Sequence, residues 1–92
     1  MQINSISDFR RAMRNGPYAW PGGYPLYFTT LDGAALSFAS AKAERRNILE
    51  ALRDNDKSSG WRVCGFDINY EDAELICDHS GETIESAYGD AA

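Results

Sequence analysis

The chain has 92 residues, 43% hydrophobic and 25% charged, with a formal net charge of −5. That composition describes one globular domain over residues 1–92, large enough for a single core without metals or disulfides, and it excludes disordered, collagenous and disulfide-scaffold classes. No apolar run approaches the roughly 18 residues of a membrane span, Met1 to Asp8 lacks the pattern of a secretory signal, and two cysteines without such a signal point to a reducing, cytoplasmic setting.

Ser7 is read as an N-cap and Asp8–Asn15 as the first helix, because Phe9, Ala12 and Met13 fall at i, i+3 and i+4. Arg10, Arg11 and Arg14 take the other side, and Asn15-Gly16-Pro17 stops the helix. Tyr18–Pro25 mixes aromatic residues with prolines and glycines and is expected to be an ordered loop without regular structure. Leu26–Thr30 and Ala35–Phe38, joined at Asp32-Gly33, form a hairpin. Ser40 then caps a second helix over Ala41–Asn55, with Ile48, Leu49 and Leu52 on its core face and Arg46 and Glu50 as i, i+4 partners. Trp61–Asn69 is a third strand of imperfect alternation: Cys64, Phe66 and Ile68 share one face, Trp61 and Val63 the other. Glu74–Asp78 is a short fourth strand, His79-Ser80-Gly81 a turn, and Thr83–Tyr88 an edge strand or a loop. The order αββαββ predicts an α+β domain, a small antiparallel sheet of about four strands with two helices on one face.

Charge is unevenly spread. Residues 1–46 carry six basic and three acidic residues, residues 47–92 three basic and eleven acidic, and no Lys or Arg follows Arg62. Such asymmetry gives an oriented electrostatic surface that favours charged partners. One reading is a solvated acidic surface that keeps the chain soluble. The sharper reading is an acidic face, with Asp67, Glu71, Asp72 and Glu74 as candidates, that docks on a basic partner surface. Arg10, Arg11 and Arg14 are candidates for acidic or phosphate groups. Trp20 and Tyr24 are candidate aromatic anchors, since Trp, Tyr and Arg dominate interface hot spots.

Metal and catalytic patterns are thin. Cys77-x-His79 with Cys64 resembles part of a zinc site, but a closed tetrahedron takes four ligands and the chain holds two Cys and one His. Buried reduced thiols are the favoured reading, and a Cys64–Cys77 disulfide conflicts with the inferred compartment. Asp67-x-Asn69-x-Glu71 echoes a calcium loop but lacks the glycine at position six and the glutamate at position twelve. His79 beside Ser80 is a sequence neighbour without an orienting third group, and Gly22-Gly23 is not followed by the residues of a phosphate loop. No catalytic residue, metal or cofactor is assigned. The basic helices, with Lys42, Arg45 and Arg46 joining the first set, and Tyr18, Trp20, Tyr24 and Tyr27 fit direct nucleic-acid binding as the alternative. The acidic balance of the whole chain argues against it.

Phe9–Arg14, the loop Gly16-Pro17-Tyr18-Ala19-Trp20-Pro21-Gly22-Gly23-Tyr24-Pro25, Gly60–Val63, and Cys77–Gly81 with Ile84–Tyr88 resemble a group of small bacteriophage and prophage proteins. The resemblance covers nearly the whole chain and is most specific in the Pro-Gly loop. It implies a setting, the bacterial cytosol during phage growth, and brings no catalytic residue. By analogy with small acidic phage proteins in that setting, the expected role is non-catalytic. The chain would bind a host protein or nucleoprotein complex and block it, for example a defence system such as a CRISPR effector.

Overall fold

The computed structural model describes residues 1–19 and 22–88. Helix α1 spans Ile6–Asn15 and is capped by Ser5, whose hydroxyl accepts the Asp8 N–H at 3.2 Å. The Asp8 carboxylate reaches back to the Asn4 N–H at 2.9 Å. The helix therefore starts before Ser7, because Ser5, not Ser7, has an acid three residues on to complete a capping-box arrangement. Gly16 closes α1 at φ +88°.

Strands β1 (Tyr18–Ala19) and β2 (Tyr24–Thr30) pair antiparallel, Tyr18 opposite Pro25 and Ala19 opposite Tyr24. The Pro-Gly loop thus carries a short strand where the sequence predicts none. Gly22 and Gly23, both at positive φ, turn the chain back. Pro25 lacks a donor, yet its carbonyl still accepts the Asn69 N–H at 3.0 Å.

Strands β3 (Ala35–Ser37) and β4 (Val63–Ile68) both pair antiparallel with β2, placing Leu36 and Phe66 opposite Phe28. At the other end of β2, Thr29 pairs with Gly65 but Thr30 with Val63, so Cys64 is an extra residue in the ladder. This β-bulge explains the imperfect alternation of the strand. It rotates Val63 onto the face of Phe66, where Val63 is fully buried. The N-terminus continues the sheet beyond β4: Ile3 N–H donates to the Cys64 carbonyl and Phe66 N–H to the Met1 carbonyl, both at 3.0 Å.

The second predicted helix is two, α2 (Phe38–Ala43) and α3 (Arg45–Asp54), separated at Glu44, whose φ of −107° and ψ of 23° depart from helical values. Ser37 caps α2 by accepting the Ser40 N–H at 3.1 Å. Ser40 is not the cap, because it is buried and its hydroxyl is engaged with Cys77 and His79. Arg46 and Glu50 do not close an ion pair; among the described residues that geometry is met by Arg53 and Asp54.

Phe28 is the hub of the core. Its ring lies 5.5 Å from Phe9 of α1, 5.9 Å from Phe38 of α2 and 6.2 Å from Phe66 of β4. The helices therefore cover the Phe28 face of the sheet, with Ile48, Ala51 and Leu52 of α3 buried beneath them. The result is an α+β fold, three helices on an antiparallel sheet of four strands among the described residues.

Residues 74–78 do not form a strand; Ile76 makes a single bridge to Thr83. Their backbone groups are used one by one elsewhere. Asp78 N–H donates to the Ala35 carbonyl (2.8 Å) and Cys77 N–H to the Glu82 carbonyl (2.9 Å), while Leu75 accepts from Ile84 N–H (2.7 Å). Among the described residues no helix is long and apolar enough to cross a membrane.

Candidate functional site

The end of the sheet where β2 starts and β4 finishes collects tyrosines and carboxylates. The rings of Tyr70 and Tyr88 flank Tyr24 at 5.5 and 6.1 Å, and the Tyr88 hydroxyl donates to that of Tyr24 at 3.2 Å. Tyr70 is 49% and Tyr88 52% exposed, so hydration is retained over much of a cluster that core packing does not require. Around it, Tyr18 donates to Glu85 Oε1 at 3.0 Å, and Tyr27 lies across the ladder from Asp67. The Tyr18 phenol is pushed up by the hydrogen bond to Glu85 and by its charge. Tyr27 is pushed up by burial first, then by Asp67 and Asp72. Neighbouring carboxylates contribute to both shifts, second to burial at Tyr27 and second to the hydrogen bond at Tyr18.

Asn69 builds this end. It is buried, and its side-chain amide donates to the carbonyls of Asp72 (3.0 Å), Glu85 (3.1 Å) and Ile84 (3.3 Å). Its oxygen accepts the Asp72 N–H at 3.2 Å. Two backbone bonds finish the clamp, Ala87 N–H to the Asn69 carbonyl and Tyr88 N–H to the Tyr70 carbonyl. The turn bearing Tyr70, Glu71 and Asp72 is thereby fixed to the segment bearing Glu85 and Tyr88. Asn69 is consumed by the backbone, which removes it from any calcium-type ligand set. Among the described residues no three His, Cys, Asp or Glu side chains converge as a metal site.

A second surface lies on the helical layer. Phe9 and Met13 of α1, with Phe38 and Leu49 of the α2–α3 pair, floor a groove of about 490 Å³. Arg10 and Arg14 stand on the α1 side and Lys42 and Arg45 on the other. Past Arg10 and Arg45 a shallower depression continues to Arg46 and Arg53. Apart from Arg53 with Asp54, none of these cations has a carboxylate within 4.0 Å among the described residues.

The candidate residues thus separate. Arg10 and Arg14 share the groove, whereas Arg11 faces another flank beside Asn15 and Phe66. Tyr24 sits in the tyrosine cluster; Trp20 lies outside the described residues. Asp67, Glu71, Asp72 and Glu74 are all exposed at the acidic end, and the Glu74 N–H donates to Asp72 Oδ1 at 3.0 Å. Sequence reasoning passes over Tyr70 and Tyr88, which stand far from Tyr24 in the chain. No local pattern points to them; the residue that fixes their turn, Asn69, stands directly after β4.

The sulfur and imidazole groups do not converge as a zinc site among the described residues, and of the two thiols expected to be buried only Cys77 is, Cys64 being half-buried. Both cysteines are free. Cys77 is fully buried, its sulfur 3.3 Å from the Ser37 N–H donor and 3.3 Å from Ser40 Oγ, which in turn lies 3.2 Å from His79 Nδ1. Burial pushes the thiol up, but hydrogen bonding with Ser37, Ser40 and Ser80 outweighs it and brings it down to about 6.

Comparison with family models, curated proteins and solved structures gives no match.

Proposed function

We propose that the protein is a non-catalytic interaction module that docks through its acid–tyrosine end on a basic surface of a host protein or nucleoprotein complex and blocks it stoichiometrically. The observation that carries this reading is the cluster in which exposed Tyr70 and Tyr88 flank half-buried Tyr24, at the end of the sheet that also bears Asp67, Glu71, Asp72 and Glu85. No cation neutralises those four carboxylates within 4.0 Å among the described residues. Tyrosine faces attract guanidinium and ammonium groups, and unpaired carboxylates accept their hydrogen bonds. Together they complement an Arg- and Lys-rich surface of the kind that grips a nucleic-acid backbone. Carboxylates held at such a surface take the place of phosphates, so occupancy amounts to inhibition. The resemblance to phage proteins supplies the setting, a host defence effector being one such target.

The test is capture from a bacterial lysate, with nuclease, by the wild type, by Tyr70→Ala/Tyr88→Ala and by Glu71→Lys/Asp72→Lys. A defined protein retained after nuclease by the wild type and lost by both variants is expected. Partners that disappear with nuclease, or that bind the variants equally, would instead favour direct nucleic-acid binding through the unpaired cations of the helical groove.

A further inference from the structure

The helical groove is a different surface with a different chemistry, and it points to a second occupant. We infer that it receives an acidic amphipathic helix of a partner protein. Three features select that ligand. The groove runs between α1 and the α2–α3 pair, so a fourth helix laid along it completes a bundle-like layer. α1 has 10 residues, a length of about 15 Å, which matches about three turns of a docked helix.

The lining is the second feature. The floor is apolar, with half-buried Met13, Phe38 and Leu49 over the buried Phe9 ring, and cations rise on both sides of it. A phosphate backbone uses the cations but gains nothing from the floor. A helix with apolar residues at i, i+3 or i+4 and i+7, flanked by Asp and Glu, uses both. The floor rings Phe9 and Phe38 also pack on Phe28 and are not free as stacking platforms for bases.

The third feature is charge. Arg10, Arg14, Lys42 and Arg45 have no intramolecular carboxylate within 4.0 Å among the described residues. A second copy of this chain does not fit, since its acidic residues 67–88 hold no helix among the described residues.

The probe is a labelled synthetic helical peptide with a leucine stripe and glutamates on either side, followed by fluorescence anisotropy. Its lysine-flanked counterpart and a single-stranded oligonucleotide serve as competitors. The acidic peptide is expected to bind, to weaken as salt is raised, and to lose at least tenfold in affinity on Arg14→Glu/Lys42→Glu. These positions are exposed, so circular dichroism should show the variant folded. Tyr70→Ala/Tyr88→Ala should bind the peptide unchanged, which separates this inference from the function proposed above. Equal binding of both peptides, no binding of the acidic one, no effect of charge reversal, or tighter binding of the oligonucleotide would overturn it.

Discussion

Cys77 shows how tertiary packing sets the chemistry of a single side chain. Its sulfur is fully buried, which opposes charge, yet it is ringed by donors on Ser37, Ser40 and Ser80 that favour the thiolate and bring the pKa from 9.0 to about 6. The sign of the pH effect follows. Between pH 6 and 9 the folded thiol is ionised while the unfolded one keeps its proton. The unfolded state therefore binds more protons, and the contribution of Cys77 to stability grows with pH across that window and vanishes below it. Titration of thiolate absorbance in a Cys64→Ser background should give a midpoint near 6, and Ser40→Ala should raise it. A midpoint in the ordinary thiol range of about 8.5, or no response to Ser40→Ala, would contradict the hydrogen-bonded arrangement. None of this is legible in Cys77-x-His79, whose spacing suggests a ligand pair. The group that separates them in space, Ser40, is 37 residues away from Cys77 in the chain. Local pattern cannot register a partner brought in by tertiary packing.

At the scale of elements, what was legible is what local physics decides. The stripe Phe9, Ala12 and Met13, the Asp32-Gly33 turn with Gly33 at φ +85°, and the core positions Ile48 and Leu52 all stand as their spacing requires. The misread boundaries are those set by contacts between elements. Ser40 has the chemistry of a cap but is buried, and residues 74–78 have strand composition but no continuous edge to pair with. The N-terminal segment is the third case, because nothing in Met1 to Ile3 announces a strand. Its place is signalled from the other side by Gly65. A Cβ there would meet the Met1 carbonyl oxygen at 2.8 Å and Thr29 Oγ1 at 3.3 Å. Gly65→Ala should therefore push the N-terminal segment off β4 and cost about 1–3 kcal/mol, as overpacking does. Amide exchange checks it: the Ile3 and Phe66 N–H groups, which bond across this junction, should lose protection. Retained protection and unchanged denaturant stability would show that Met1 to Ile3 is not held by this junction.

Over the whole molecule, the arrangement of charge is better explained by binding than by folding. The basic half of the chain supplies the four groove cations, the acidic half the carboxylates of the tyrosine end, and one pair, Arg53–Asp54 at 2.9 Å, is closed among the described residues. Like charges also neighbour one another within a helix: Arg10 stands one turn from Arg14 on α1. Such pairs destabilise a helix by about 0.2–0.5 kcal/mol each in weak screening. Salt shortens the Debye length from about 30 Å at 0.01 M to about 8 Å at 0.15 M. The melting temperature should consequently rise by a few degrees across that range, given roughly 4–8 °C per kcal/mol for a domain of this size. Arg14→Glu/Lys42→Glu places a carboxylate one turn from Arg10 on α1, turning that repulsion into an attraction, and lowers the positive charge of the groove. That variant should melt higher than wild type at low salt and respond less to added salt, while failing to bind the acidic peptide. Calorimetry at both salt concentrations decides the matter. A melting temperature that falls with salt would mean that attractive pairs dominate, and the groove would then be an ordinary helical surface. A variant that is stabilised yet cannot bind would show stability held below its optimum where function needs the charge.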